Sequence, residues 1–266
     1  MSLQLDERRK SMLAEMGLAS FIFSPGAPGA PGAPELPAAA PRTAAPAPTV
    51  LAPVQVAAPQ PRPVQQPNAR ADEIAQMEWG ALAQAVAGCR ACSLCESRRN
   101  TVFGTGDQRA DWLIVGEAPG ENEDLQGAPF VGPAGKLLDN MLKSLGLDRQ
   151  HKVYIANVLK CRPPGNRNPS LQEVSLCEPF LRRQVQLLQP RIVLAMGRFA
   201  VQSLLGSTEP IGKLRGQAHQ FMGVPVVVTY HPAYLLRSLP DKAKAWADLC
   251  LAQALLSAQT DSKDQG

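Results

Sequence analysis

Three cysteines crowd the heptapeptide CRACSLC at residues 89–95, and two more, Cys161 and Cys177, follow at C-x15-C spacing. Thiolates bind soft metals. A C-x-x-C pair joined by two cysteines from elsewhere in the chain makes a four-thiolate set for zinc or an iron-sulfur cluster. The heptapeptide offers two nested registers, Cys89-x-x-Cys92 and Cys92-x-x-Cys95, and spacing chooses neither the register nor the metal. Cys161 or Cys177 alone would read as a small buried residue.

Two other segments could do chemistry. GEAPGENEDLQGAPFVGPAG, residues 116–135, holds five glycines and three prolines, which marks a shaped loop where main chain approaches a ligand. It lacks the phosphate-cradling patterns G-x-x-x-x-G-K-[ST] and G-x-G-x-x-G, and Glu117, Glu121, Glu123 and Asp124 make it acidic. Of three histidines, His231 in TYHPAYLLR sits before a proline at the end of a predicted strand, where an imidazole can act. His151 and His219 read as surface residues.

The elements that must position these residues follow from hydrophobic patterning. DWLIVGE from residue 111, VYIANVLK from 153, RIVLAMG from 191 and PVVVTYHP from 225 are short β-branched runs separated by helical stretches. GPAGKLLDNMLKSLGL places Pro133 at a helix start and Gly146 past its end. Ser170-x-x-Glu173 is a capping box, DKAKAWADLCLAQALLSA is a closing helix, and residues 71–88 read as one amphipathic helix leading into the cysteines. Alternating strands and helices predict a three-layer α/β/α sandwich around a mostly parallel four-stranded sheet. In such folds the chemistry lies beyond the carboxyl ends of the strands.

Composition bounds the rest. Thirteen of the 25 prolines lie between Pro25 and Pro67, among alanines and a GAPGAPGAP run. Residues 23–70 therefore read as a disordered Pro/Ala-rich linker, residues 1–22 as a short partner-binding helix, 71–260 as the folded domain and 261–266 as a disordered end. No run approaches the roughly 20 apolar residues of a membrane span, and the mixed charge of MSLQLDERRK does not read as a secretory signal. A cytoplasmic monomer is expected. The formal charge of +4 divides evenly between the first 70 residues and the remainder, so any nucleic-acid surface must be a local patch.

Taken together, GEAPGENEDLQGAPFVG, NVLKCRPPGNRNP and HPAYLLR resemble the family 4, iron-sulfur branch of the uracil-DNA glycosylase superfamily, from about Cys89 to Ala258. The resemblance implies a DNA-repair hydrolase that excises uracil from single- or double-stranded DNA and leaves an abasic site. It also implies the register. Cys92 precedes Ser93-Leu94 and lies eleven residues before Phe103-Gly104, matching the family's second cysteine. The implied 4Fe-4S ligands are Cys89, Cys92, Cys161 and Cys177, with Cys95 and Cys250 free.

The same resemblance implies roles in a base-flipping mechanism. Phe130 stacks on uracil. Asn157 offers one amide donor and one acceptor to O4 and N3–H, the reverse of what cytosine presents. Glu123 lies near the C5 edge, and His231 donates to the anion developing on O2, assisted by backbone around Glu117, Ala118 and Pro119. Where the best-known branch carries a water-positioning aspartate this chain has Ala118, so either Glu117, Glu123 or Asn157 takes that task or the reaction tolerates a loosely held water. Leu235 is implied as a wedge and Arg237 as a phosphate contact, with Lys160, Arg162 and Arg167 beside the cluster. The rival readings are a non-catalytic uracil- or DNA-binding iron-sulfur module and an electron carrier using all three cysteines of CRACSLC.

Overall fold

The computed structural model describes residues 67–261. The helix expected over 1–22, nearly all of the linker and residues 262–266 lie outside that range. The stretch 71–88 forms two helices rather than one, α1 (Pro67–Ala75) and α2 (Trp79–Ala87). The chain turns between them as Gln76 N–H and Met77 N–H bond back to Glu73 and Ile74 carbonyls. The first turn of α1 thus comes from residues that composition assigned to the linker.

A short α3 (Leu94–Ser97) follows, and then a six-stranded sheet ordered β1-β3-β2-β4-β6-β5. The four predicted strands form its parallel centre: β2 (Trp112–Gly116), β3 (Val153–Asn157), β4 (Ile192–Met196) and β6 (Val224–Thr229). The expected count of four is corrected by two antiparallel edge strands, β1 (Thr105–Gly106) and β5 (Ala218–Phe221). β1 is two residues long. β5 is largely exposed and joins β6 through Met222 and Gly223, both at positive φ, as a tight hairpin requires. Neither leaves a hydrophobic run to read in the sequence.

The remaining helices are α4 (Glu121–Gln126), α5 (Pro133–Ser144), α6 (Leu171–Leu188), α7 (Arg198–Leu205), α8 (Ile211–Leu214), α9 (Pro232–Leu235) and α10 (Asp241–Asp261). Side chains alternate across the central strands. Leu113 and Val115 pack with Leu181, Val185 and Val201 on the face of α6 and α7. Trp112 and Ile114 pack with Leu138, Leu142 and Leu249 on the face of α5 and α10. Both faces are covered, which is why the central strands are continuous apolar runs; each fully buried aliphatic side chain contributes about 1.5–3 kcal/mol. The predicted caps form: Pro133 opens α5, Gly146 takes φ 73 beyond its end, and Ser170 and Glu173 exchange both capping-box bonds. No helix among the described residues is long and apolar enough to cross a membrane.

Candidate active site and cysteine pocket

Strand β2 lies between β3 and β4, so successive connections leave it in opposite directions and a crevice opens above its carboxyl end. A cleft of about 910 Å³ occupies that place. Its walls are Glu117 to Gly120 after β2, Asn157 ending β3, Gly197 to Phe199 after β4, Tyr230 and His231 after β6, and Phe130 from the long loop. Most of the residues singled out in the sequence are thus brought to one cavity.

Its floor depends on close approach. A Cβ on Gly116 would lie 2.4 Å from Asn157 Oδ1 and 2.7 Å from Phe130 Cζ, so only glycine lets these two side chains converge. Asn157 is 2% exposed and its Oδ1 has no hydrogen-bond partner. A buried amide oxygen left unpaired costs about 1–3 kcal/mol, an expense recovered when a ligand N–H meets it. Phe130 is buried at φ 54, a left-handed conformation rare for an aromatic residue.

Two clamps hold it there. Glu123 accepts the N–H groups of Val131 (2.9 Å), Gly132 (3.3 Å) and Gly120 (3.1 Å), so both its oxygens stitch the loop. Arg149 donates to the carbonyls of Pro129 (2.9 Å), Phe130 (2.5 Å) and Gly135 (3.4 Å), and pairs with Asp139. Gly135 packs so closely that a Cβ there would sit 1.7 Å from the Phe130 oxygen.

His231 caps the short α9, its Nδ1 accepting the Ala233 N–H at 3.1 Å. That bond assigns the neutral ring's proton to Nε2. The ring stacks on Phe130 with centroids 5.4 Å apart and abuts Gly197, where φ is 90. Burial pulls its pKa down to about 4 although Glu123 acts in the other direction, so the imidazole is neutral at physiological pH. Burial pushes the Glu117 carboxyl up to about 7, with Arg198 partly opposing. Sheet-like bonds from Val158 N–H to Gly116 O and from Leu159 N–H to Glu117 O, both 3.0 Å, lock Glu117 beside the KCR segment.

The expected DNA contacts are only partly assembled. Arg237 is exposed and lines the cleft. Leu235, implied as the wedge, is corrected: it is 1% exposed and packs against Leu137 and Ala245, because the one-turn helix α9 directs it inward. Its neighbours Tyr234 (39%) and Leu236 (44%) face outward instead. Arg162 does not line the cleft; it bonds Asn166 Oδ1 at 2.8 Å and approaches Glu121. Arg167 does, held by a two-pronged pair with Glu173. Lys160 is buried, its Nζ donating to Asn157 O, Phe103 O and Gln184 Oε1 at 2.7–3.2 Å, so it braces the floor rather than meeting DNA.

Behind this floor, Cys89, Cys92, Cys95, Cys161 and Cys177 line a second pocket with Arg98 and Lys160. Ala118 packs on its wall with Leu94 and Leu159. Burial raises the Cys92 and Cys161 pKa values and pushes Cys177 up to about 12. Cys89 acts electrostatically on Cys92, Cys161 and Cys177 alike, and Cys95 on Cys92. Arg98 Nη1 donates to Cys161 Sγ at 3.0 Å, Lys160 N–H to Cys177 Sγ at 3.3 Å and Arg70 to Cys89 Sγ at 3.5 Å. Among the described residues no three His, Cys, Asp or Glu are drawn together around one metal ion. Cysteine thiols that line one pocket and already receive N–H donors have the donor chemistry of a soft-metal or iron-sulfur centre.

Asp124 joins the two sites. It is 3% exposed and accepts the N–H groups of Arg99 (2.9 Å) and Asn100 (3.3 Å), which directly follow Arg98. The sequence reading missed Asp124 as an anchor, and it missed Gly116, Arg149 and Gly197. Glycines at strand ends were the available signal for two of them; Arg149, distant in sequence from the loop it clamps, offered none.

The sequence model of the Uracil DNA glycosylase superfamily matches residues 103–250. The Type-4 uracil-DNA glycosylase of Archaeoglobus fulgidus is 43% identical over 57% of this chain and 79% of its own length. Those of Thermotoga maritima (42%, covering 61% and 85%) and Pyrobaculum aerophilum (39%, covering 66% and 93%) are similar too. The cleft at the switch point and the cysteine pocket behind it are therefore those of a chain that belongs to the uracil-DNA glycosylase superfamily, in its type-4 branch.

Proposed function

We propose that this protein excises uracil from DNA by hydrolysing the N-glycosidic bond, leaving an abasic site for base excision repair. The observation that carries the reading is the unpaired, buried Asn157 Oδ1 in the cleft that Phe130 and His231 also line. Uracil extruded from the stack presents N3–H to that oxygen and O4 to the Asn157 amide N–H. Cytosine would set acceptor against acceptor and donor against donor, a mismatch that leaves buried polar groups unpaired. Phe130 covers the face of the base.

As the bond between C1′ and uracil N1 lengthens, its electron pair moves onto the base and charge gathers on O2. The neutral His231 donates its Nε2 proton as a hydrogen bond to that oxygen, a preorganised electrostatic contribution of the kind worth about 3–4 kcal/mol. Water adds to C1′, and Glu117, ionising near neutrality, orients it and accepts its proton. Glu123 acts through the loop that carries Phe130. Cys89, Cys92, Cys161 and Cys177 hold a 4Fe-4S cluster that, when bound, supplies a rigid four-point tie between the chain segments under the cleft. Arg237, Arg167 and the outward Leu236 meet the DNA.

Release of free uracil from a uracil-containing oligonucleotide, single- or double-stranded, tests the reading. The wild-type protein is expected to turn over, and the double variant His231→Ala, Asn157→Ala to lose at least 10³-fold in kcat/KM, about 4 kcal/mol. Binding without release beyond that variant would favour the non-catalytic module.

A further inference from the structure

Arg215, Tyr230, Tyr234 and Asp241 form a chain of contacts along one edge of the cleft that the excision chemistry does not use. Asp248, fully buried, grips Arg215 through both oxygens at 3.1 and 2.9 Å. The Arg215 guanidinium lies 5.8 Å from the centroid of the Tyr230 ring. Tyr230 in turn stacks on Tyr234 with centroids 5.1 Å apart and planes at 29°. At the outer end the Tyr234 hydroxyl donates to Asp241 Oδ2 at 2.6 Å, an oxygen also held by Ser238 Oγ at 2.8 Å. Lys244 pairs with the same carboxylate. The outer ring is thus fixed at its face and at its hydroxyl, yet it remains 39% exposed and lines the cleft.

An aromatic residue needed only for packing would bury its ring, as Leu235 buries its side chain beside it. Tyr234 instead presents apolar surface whose position is already paid for. Stacking a planar ligand there costs little further side-chain entropy, and base–aromatic stacking is sequence-tolerant because every base has a π-face. Tyr234 follows His231 by three residues on one helical turn, a rise of about 4.5 Å, comparable with the roughly 3.4 Å step between nucleotides. Arg237, exposed on the same side of the cleft, supplies a cation for the adjoining phosphate.

We propose that Tyr234, backed by Tyr230 and tethered by Asp241, is a stacking platform for the nucleobase next to the extruded uracil in the same strand. This rests on the glycosylase reading above. Single-stranded DNA carrying a hydrolysis-resistant 2′-fluoro deoxyuridine, with 2-aminopurine on one side or the other, tests it without an opposing base. With wild-type protein, the fluorescence of 2-aminopurine is expected to be quenched at an adjacent position and not two nucleotides away. Tyr234→Leu should relieve that quenching and raise the Kd about tenfold. Tyr234→Trp should keep it, and Tyr234→Phe, which retains the ring and loses the tether, should fall between.

Quenching and affinity unchanged in Tyr234→Leu would overturn the platform, as would quenching confined to positions two nucleotides away. Thermal melts of all three variants separate misfolding from lost stacking, and the Trp and Phe variants keep the test decisive if Leu unfolds. Uracil release by the wild-type protein is scored separately. Its absence refutes the glycosylase reading, whereas release together with unchanged quenching in Tyr234→Leu refutes the platform alone.

Discussion

Asn157 and Phe130 meet only because Gly116 has no side chain, and that contact makes the pocket unusually sensitive to one methyl group. Gly116→Ala places a Cβ 2.4 Å from the Asn157 amide oxygen and 2.7 Å from Phe130 Cζ, so both side chains must move. Uracil release should fall at least 100-fold, about 2.7 kcal/mol in kcat/KM, with the loss read in steady-state kinetics. The pH dependence follows from two residues. His231 stays neutral down to about 4, so it imposes no limb near neutrality. Glu117 is protonated below about 7, and a protonated carboxyl cannot take the proton of the attacking water. The rate of the chemical step should therefore rise with pH through about 7 and level off above it. In Glu117→Gln that limb should vanish along with most of the rate; a wild-type profile flat from pH 5 to 8 would contradict the assignment of Glu117.

The loop between β2 and α5 is the element on which recognition depends, and it is held as a scaffold holds a mould. Glu123 satisfies its N–H groups and Arg149 its carbonyls, so the left-handed Phe130 is over-determined from both sides. Arg149→Met removes the carbonyl clamp and leaves the Asp139 carboxylate unpaired. We expect KM for uracil-DNA to rise about tenfold, a cost near 1.4 kcal/mol, while the melting temperature falls by a few degrees. A tenfold fall in kcat with KM unchanged would instead place Arg149 in the chemical step. The glycine and proline density of residues 116–135 announced a shaped loop, but of its two clamps only Glu123 lies within it, and Arg149, 19 positions beyond Phe130, could not be read from it. Likewise the apolar HPAYLLR motif drew attention to Leu235, whereas the direction of a one-turn helix buries it and turns Tyr234 and Leu236 outward.

At the scale of the molecule, the cysteines join three distant pieces of chain: the loop after α2, the end of the β3 segment and the middle of α6. A cluster bound there adds its binding free energy to folding. Cys92→Ser should lose the brown visible absorbance and lower the melting temperature, and Cys95→Ser should keep both. Loss of colour in both variants would show that the register is wrong, a live test because Cys95 lines the same pocket. Through Arg98 and Asp124 the pocket is tied to the uracil loop, so the Cys92 variant should also bind uracil-DNA more weakly.

The sequence by itself determined the parallel core and the chemical inventory. Four β-branched runs, a capping box and a Pro-to-Gly helix are local signals whose cause lies in adjacent residues, and they hold in the structure. The position of His231 at a strand end and the family resemblance pointed to His231, Phe130 and Asn157, which line one cleft. Only the tertiary structure decided which glycines must stay glycine, that Lys160 is buried, that two short edge strands complete the sheet, and that Cys95 shares the pocket with the other thiols. Those outcomes depend on what residues far apart in the sequence bring against each other, and no local pattern encodes that contact.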